Sequence, residues 1–176
     1  SHSDPSLFIK RTEKGSWILV YVDDLLIASQ DTKELAATKS LLKKHFPMKD
    51  LGEVTSYLGM ELTRDKAQKT IHLSQEKYIN ELVNRFKEYE SKPAATPLAV
   101  NHGLKVREPD EEEVPGQERF PELLGGIMYL MVCTRPDIAH AVSVLSRYIA
   151  PGRHGHQHWK AALRVLAYLK QTAHYS

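Results

Sequence analysis

The segment SWILVYVDDLLIASQD, residues 16–31, sets two adjacent aspartates between two apolar runs. Carboxylates are costly to bury, and the flanking runs have the β-branched and aromatic character of strands. The chain is therefore expected to turn here, carrying both carboxylates out of an otherwise buried hairpin toward a shared spot. Neither Gly nor Pro adjoins the pair, so local backbone needs do not explain the acids. Two carboxylates held in this way suit Mg²⁺, which takes carboxylate oxygens, water and substrate phosphates. Two such ions about 3.5 to 4 Å apart can stabilise the attacking and leaving oxygens of phosphoryl transfer. The plainer alternative is a loop that two acids merely decorate.

The hydrophobic pattern predicts an antiparallel unit at the start of the chain. LFIKR (7–11) and WILVYV (17–22) are joined by the turn-like TEKGS, and LLIAS (25–29) continues as a third strand. Asp31 can cap a helix, with Glu34 completing a capping-box pattern, and Leu35, Leu42 and Phe46 share its apolar face until Pro47 ends it. A second hairpin is expected from strands near Tyr57 to Thr63 and Thr70 to Leu73. Ser74 can then cap a helix whose apolar face is Tyr78, Ile79, Leu82, Val83 and Phe86.

From Ser91 to Pro121 there are five prolines, no apolar period and the acidic run EPDEEE, the texture of a linker or a long ordered strap. Three helical patterns follow: Leu123, Leu124, Ile127, Met128 and Met131; Ile138, Ala141, Val142, Leu145 and Ile149; Trp159, Ala162, Leu163, Leu166 and Leu169. The expected class is α+β, an α/β half followed by a helical half.

Charge becomes informative once it is located. The chain carries 24 Lys and Arg against 22 Asp and Glu, but seven of the acids lie between Glu108 and Glu122 with one base, Arg119. Without that stretch 23 bases face 15 acids, a net charge of +8. Leu123 to Ser176 holds six bases, five histidines and one acid, Asp137, which suits a polyanionic partner as well as a solvated basic face. A single cysteine, Cys133, excludes an internal disulfide and points to a reducing, intracellular compartment. The longest apolar run, Trp17 to Val22, is far short of a membrane span, and no membrane partner is expected.

The motif YVDD, Tyr21 to Asp24, resembles the catalytic signature of reverse transcriptases, and LLIASQD follows it as in copia-type LTR retrotransposons. The resemblance continues in order through FPMKDLGEVTSYLGMEL (46–62), LSQEKYINELVNRF (73–86), TPL (96–98), GGIMYLMVCTRPDIAHAVSVLSRY (125–148) and HWKAALRVLAYLKQT (158–172). It implies a partial palm over residues 1–73 with the YVDD hairpin and a primer-grip-like hairpin. A thumb-like helix over 74–90, a Pro-rich acidic linker over 91–121 and a helical thumb or connection region over 122–176 would follow.

On this resemblance Asp23 and Asp24 are metal-binding catalytic carboxylates, and Tyr21 and Val22 lie beside the primer terminus. Tyr57, Leu58 and Gly59 grip the primer strand, although strand packing and a close backbone approach explain them equally well. Lys49 is a candidate for protonating the departing pyrophosphate, against the plainer reading of a solvated lysine. Arg135, Pro136 and Asp137 read as a helix start, and Arg135 could reach either a phosphate or a buried carboxylate. His154, His156 and His158 alternate in a Gly-containing loop with no acid or cysteine to complete a metal shell; they read as a loop leading into a helix, with Trp159 as core.

The family's upstream aspartate, its fingers and its ribonuclease H domain are not recognisable in the chain. The expectation is an incomplete two-metal Mg²⁺ site, inactive by itself, whose partners are an RNA template annealed to a DNA primer and the remaining Pol regions, in a cytoplasmic particle or the nucleus. The alternatives are a domesticated or decayed fragment that binds nucleic acid or protein, and a translated remnant without a role.

Overall fold

The computed structural model describes residues 1–11, 15–89 and 91–175. They form two compact units, residues 1–54 and residues 55–176. In the first, β1 (Leu7–Lys10), β2 (Ser16–Tyr21) and β3 (Asp24–Ser29) make an antiparallel sheet in that order. The register pairs Ile18 with Ile27 and Leu19 with Leu26, so the apolar positions of the two runs meet across the strands. Thr12, Glu13 and Lys14 of the expected first turn lie outside the described residues. Helix α1 (Thr32–His45) packs beside β3. The Asp31 carboxylate accepts from the Lys33 N–H at 2.8 Å, whereas Glu34 meets Lys10 Nζ at 2.5 Å rather than completing a capping box. Helix α1 buries no residue, and Phe46 is exposed.

The second unit opens with a second antiparallel sheet, β4 (Ser56–Tyr57), β5 (Met60–Asp65) and β6 (Thr70–Ser74). The strand expected over Tyr57 to Thr63 is in fact broken at Leu58–Gly59, where a two-residue turn separates β4 from β5. Both turn residues have positive φ, 49° and 73°, the signs of a type I′ turn, which joins twisted strands tightly. The two compact units divide between residues 54 and 55, and β4 to β6 cluster with the helices.

Helix α2 (Glu76–Arg85) follows, with Ser74 Oγ accepting from the Glu76 N–H. Its apolar face joins that of α3 (Phe120–Cys133), α4 (Ala139–Ser146) and α5 (His156–Gln171) in one core of Ile79, Leu82, Phe86, Phe120, Leu124, Ile127, Leu145, Trp159 and their neighbours. The helical faces are those that the sequence period predicts, except that Met128 and Ile149 are exposed.

The proline-rich stretch is an ordered strap and not a free linker. Ala94 is buried, and Leu98, Leu104 and Val114 pack against the core. Ser91 Oγ donates to the Leu163 carbonyl, Gln171 Nε2 to the Ala94 carbonyl and Tyr148 O–H to the Leu104 carbonyl, at 3.0–3.1 Å. Among the described residues no helix is long and apolar enough to cross a membrane.

Candidate functional site

Pairing of Tyr21 with Asp24 closes the β2–β3 hairpin, leaving Val22 and Asp23 as its two turn residues. Val22 has φ 51° while Asp23 is not among the positive-φ residues, the sign pattern of a type II′ turn, whose first position normally belongs to glycine. A β-branched residue there is a conformational outlier, and strain of this kind, roughly 1–3 kcal/mol, clusters at functional sites. Val22 is also 84% exposed, so no buried contact compensates it.

Asp23 and Asp24 are both exposed. The sequence expectation that flanking strands are deeply buried is corrected here, because β2 and β3 are only half-buried. Among the described residues no hydrogen bond or ion pair engages either carboxylate. Two neighbouring carboxylates with uncommitted oxygens are donors of the type Mg²⁺ takes. No group of three or more His, Cys, Asp or Glu able to hold a metal occurs among the described residues, and two aspartates alone do not make a complete shell.

Lys49 lies exposed in the loop after α1, and no hydrogen bond or ion pair among the described residues ties it to the aspartates. Its neighbour Asp50 organises that loop. Asp50 accepts from the Gly52 N–H at 3.0 Å and pairs with Lys39 at 3.0 Å and Lys43 at 3.5 Å. The Gly52 amide foremost, then Lys39, holds its pKa down to about 2.

In the second unit, Tyr57, Leu58 and Gly59 are brought together by the β4–β5 turn, and a residue the sequence reading passed over fixes them. Tyr129 of α3 donates its hydroxyl to the Leu58 carbonyl. A Cβ on Gly59 would stand 3.0 Å from that hydroxyl, so both the φ and the close approach require glycine. The Tyr129 ring meets Tyr78 edge-on at 5.1 Å, and burial pushes its pKa up, keeping the O–H a neutral donor. The available signal was an aromatic residue with a polar tip on an otherwise apolar helix, which seeks a hydrogen bond when buried.

Arg135 is the buried member of an ion pair with the part-exposed Asp137. It is 1% exposed, grips the Asp137 carboxylate through Nε and Nη2 at 3.0 and 2.8 Å, and donates to the Thr172 carbonyl and Oγ1 at 3.1 and 2.5 Å. Tyr168 and Tyr175 lie within 5.5 Å of the guanidinium. A side chain so enclosed joins the start of α4 to the end of α5 and has no open face for a phosphate. Burial acts to raise the Asp137 pKa, but hydrogen bonds from Arg135 and Tyr168 outweigh it and hold the carboxyl below its ordinary value.

Of the three histidines only His154 lies in the loop before α5, whereas His156 and His158 belong to the first turn of the helix. His158 is buried and its Nδ1 accepts from the Gly155 N–H at 3.0 Å, with burial holding its pKa down. His156 meets Glu111 of the strap, whose Oε1 lies 2.9 Å from the His156 backbone N and 2.6 Å from Nδ1. A Cβ at Gly155 would collide with that carboxylate.

Residues 2–100 match the family described as reverse transcriptase (RNA-dependent DNA polymerase). The retrovirus-related Pol polyprotein from transposon TNT 1-94 of Nicotiana tabacum is 42% identical over 98% of this chain and 13% of its own length. The Pol polyprotein from transposon RE2 of Arabidopsis thaliana is 36% identical over 98% of this chain and 11% of its own length. A putative transposon Ty5-1 protein of Saccharomyces cerevisiae is 32% identical over 94% of this chain and 53% of its own length. The chain thus spans 13% or less of the two Pol polyproteins. No solved structure matches it.

Proposed function

Since the chain belongs to the reverse transcriptase family of copia-type retrotransposon Pol polyproteins, we propose that its Tyr21–Asp24 turn presents two of the carboxylates used in RNA-templated DNA synthesis. The observation that carries this reading is the strained, exposed Val22 turn beside two aspartates with uncommitted oxygens. Asp23 and Asp24 would hold Mg²⁺, which supplies Lewis-acid stabilisation of charge in phosphoryl transfer. Tyr21 and Val22 border the primer terminus, and the Tyr57–Gly59 turn, fixed by Tyr129, contacts the primer strand. Lys49, exposed and unengaged among the described residues, is free to donate a proton to pyrophosphate.

Two carboxylates are a partial site, and other Pol segments would complete it with a further ligand and a nucleotide pocket. Phe8, Ile9, Leu41, Phe46 and Leu51 are exposed in residues 1–54, apolar area of the kind that such segments would cover. The isolated chain is accordingly expected to extend no primer. In a longer Pol protein that does extend one, Asp23→Asn or Asp24→Asn should lower the rate about a thousandfold, the equivalent of several kcal/mol of lost charge stabilisation, with template–primer binding retained. Unchanged synthesis in both variants would defeat the reading. Extension by the isolated chain that disappears in Asp23→Asn would overturn the expected inactivity.

A second reading, a nucleic-acid-binding module without catalysis, is favoured by the helical unit, which has a closed core and in α5 three bases and no acid. Binding by the chain alone with no effect of Asp23→Asn in any longer protein would select it.

A further inference from the structure

Between the strap and one side of α5 lies a groove of about 300 Å³ whose chemistry the polymerase site does not use. Leu98, Leu104 and Ala161 supply its apolar lining and Lys160 and Arg164 its cationic groups, with His102, His156 and Gln157 beside them. Lys160 and Arg164 are four residues apart on α5 and so stand on one face, a turn from one another. No acid lines the groove, although the strap is the most acidic part of the chain. Of the strap's acids, Glu113 pairs with Arg107 at 2.8 Å, and Glu111 stands behind one wall of the groove, 2.6 Å from Nδ1 of the lining residue His156. The acid-free portion of the strap is the portion that forms the wall.

The cationic groups keep unused donors. Arg164 Nη2 donates to Thr96 Oγ1 at 2.9 Å, while its Nε is buried with no hydrogen-bond partner. No ion pair among the described residues engages Lys160 or Arg164. His102 Nδ1 accepts from the Leu104 N–H at 3.2 Å, which leaves Nε2 as the donor of the neutral ring. The walls are held in place before any ligand arrives, through the Ser91, Tyr148 and Gln171 hydrogen bonds to strap and helix carbonyls.

We propose that this groove seats one phosphate of a nucleic-acid strand, with Lys160, Arg164 and His102 on the phosphate oxygens and the adjoining sugar and base against Leu98, Leu104 and Ala161. A guanidinium fork beside an ammonium is the pairing that phosphate oxygens favour. A groove this small lies at the lower limit of ligand sites and holds one nucleotide unit, not a duplex. The inference rests on the polymerase reading for the identity of the polyanion; the groove itself is independent of Asp23 and Asp24.

The test is affinity of the full chain for a fluorescent single-stranded 20-mer (about 20 nucleotides, longer than an OB-fold-sized site) across a salt series. Lys160→Gln with Arg164→Gln should weaken binding about tenfold near 0.1 M salt and reduce the log–log salt slope by roughly 1.4, about 0.7 for each lost contact on a single strand. Lys33→Gln with Lys44→Gln, an equal charge loss on α1, should leave both unchanged. Lys160→Glu alone, at an exposed position, should weaken binding with the far-ultraviolet spectrum intact, which separates the groove from a folding defect. Equal losses in the α1 variant would mean a nonspecific charge effect and overturn the groove. A nucleoside monophosphate or inorganic phosphate that binds as tightly as the 20-mer would overturn the strand assignment. Wild-type binding that neither groove variant alters would sink the groove while leaving the polymerase reading to the Asp23→Asn test.

Discussion

In residues 1–54 a three-stranded sheet and a 14-residue helix bury one side chain among those described, and it is polar, Ser16. Residues 55–176 hold every buried hydrophobic residue of the described chain, from Ile79 to Ala173, and most of them form one core between four helices. Both regions have regular secondary structure; only the second has a core. Strand pairing and helix capping can therefore be satisfied without burial, but a small sheet without a covered apolar face is marginal by itself. The candidate carboxylates lie in the less buried region, where an open turn keeps their oxygens accessible. The strap and Arg135 lie in the other, where long-range bonds hold them.

Truncating a core residue should separate the two regions most. Leu82→Ala or Phe120→Ala should cost about 3–5 kcal/mol in denaturant unfolding, whereas Leu26→Ala, on a half-buried strand, should cost less than about 1.5 kcal/mol. Equal losses would erase the distinction. Next in size, Arg135→Lys removes the two-pronged grip on Asp137 and should cost about 2 kcal/mol; an unchanged midpoint would show that the clamp is not needed. Tyr129→Phe leaves the Leu58 carbonyl without its donor and should cost about 1–2 kcal/mol, with faster amide exchange confined to residues 56–61.

Val22→Gly should act in the opposite direction. It relieves the positive φ at the expense of glycine's entropy, for a net gain of up to about 1 kcal/mol. A loss there would mean that the Val22 side chain makes a stabilising contact after all.

The pH response is the smallest and most selective probe. Asp50 and Asp137 both have folded pKa values below the ordinary 3.8, so their contributions are complete above that value and fade as pH falls through the folded one. For Asp50 the window runs from about 3.8 down to about 2, and the Lys39 and Lys43 pairing should loosen across it. Tracking α1 and α5 separately by NMR from pH 5 to pH 2 checks both; unaltered α1 signals over that range would remove the Asp50 tether.

Much of this was legible beforehand because it is local. The β2–β3 pairing followed from two apolar runs around a polar pair, and the buried positions of α2 to α5 followed from their helical period. The break at Leu58–Gly59 was harder to see, since Tyr57 to Thr63 reads as a continuous strand until the positive φ of both residues is known. The strap was ambiguous for a related reason: proline content marks the lack of a period but not whether Leu98, Leu104 and Val114 find a surface to cover.

By itself the amino-acid sequence determined most of the elements, the buried faces of α2 to α5 and the family, all of which reside in the order and spacing of neighbouring residues. Tertiary structure decided the rest. Arg135 joined the Asp137 carboxylate to the end of α5, Tyr129 reached a carbonyl 71 residues away, and Glu111 met a helix start 45 residues away. Such contacts depend on where whole helices pack, and packing is set by the summed fit of many side chains, which no single spacing in the chain records.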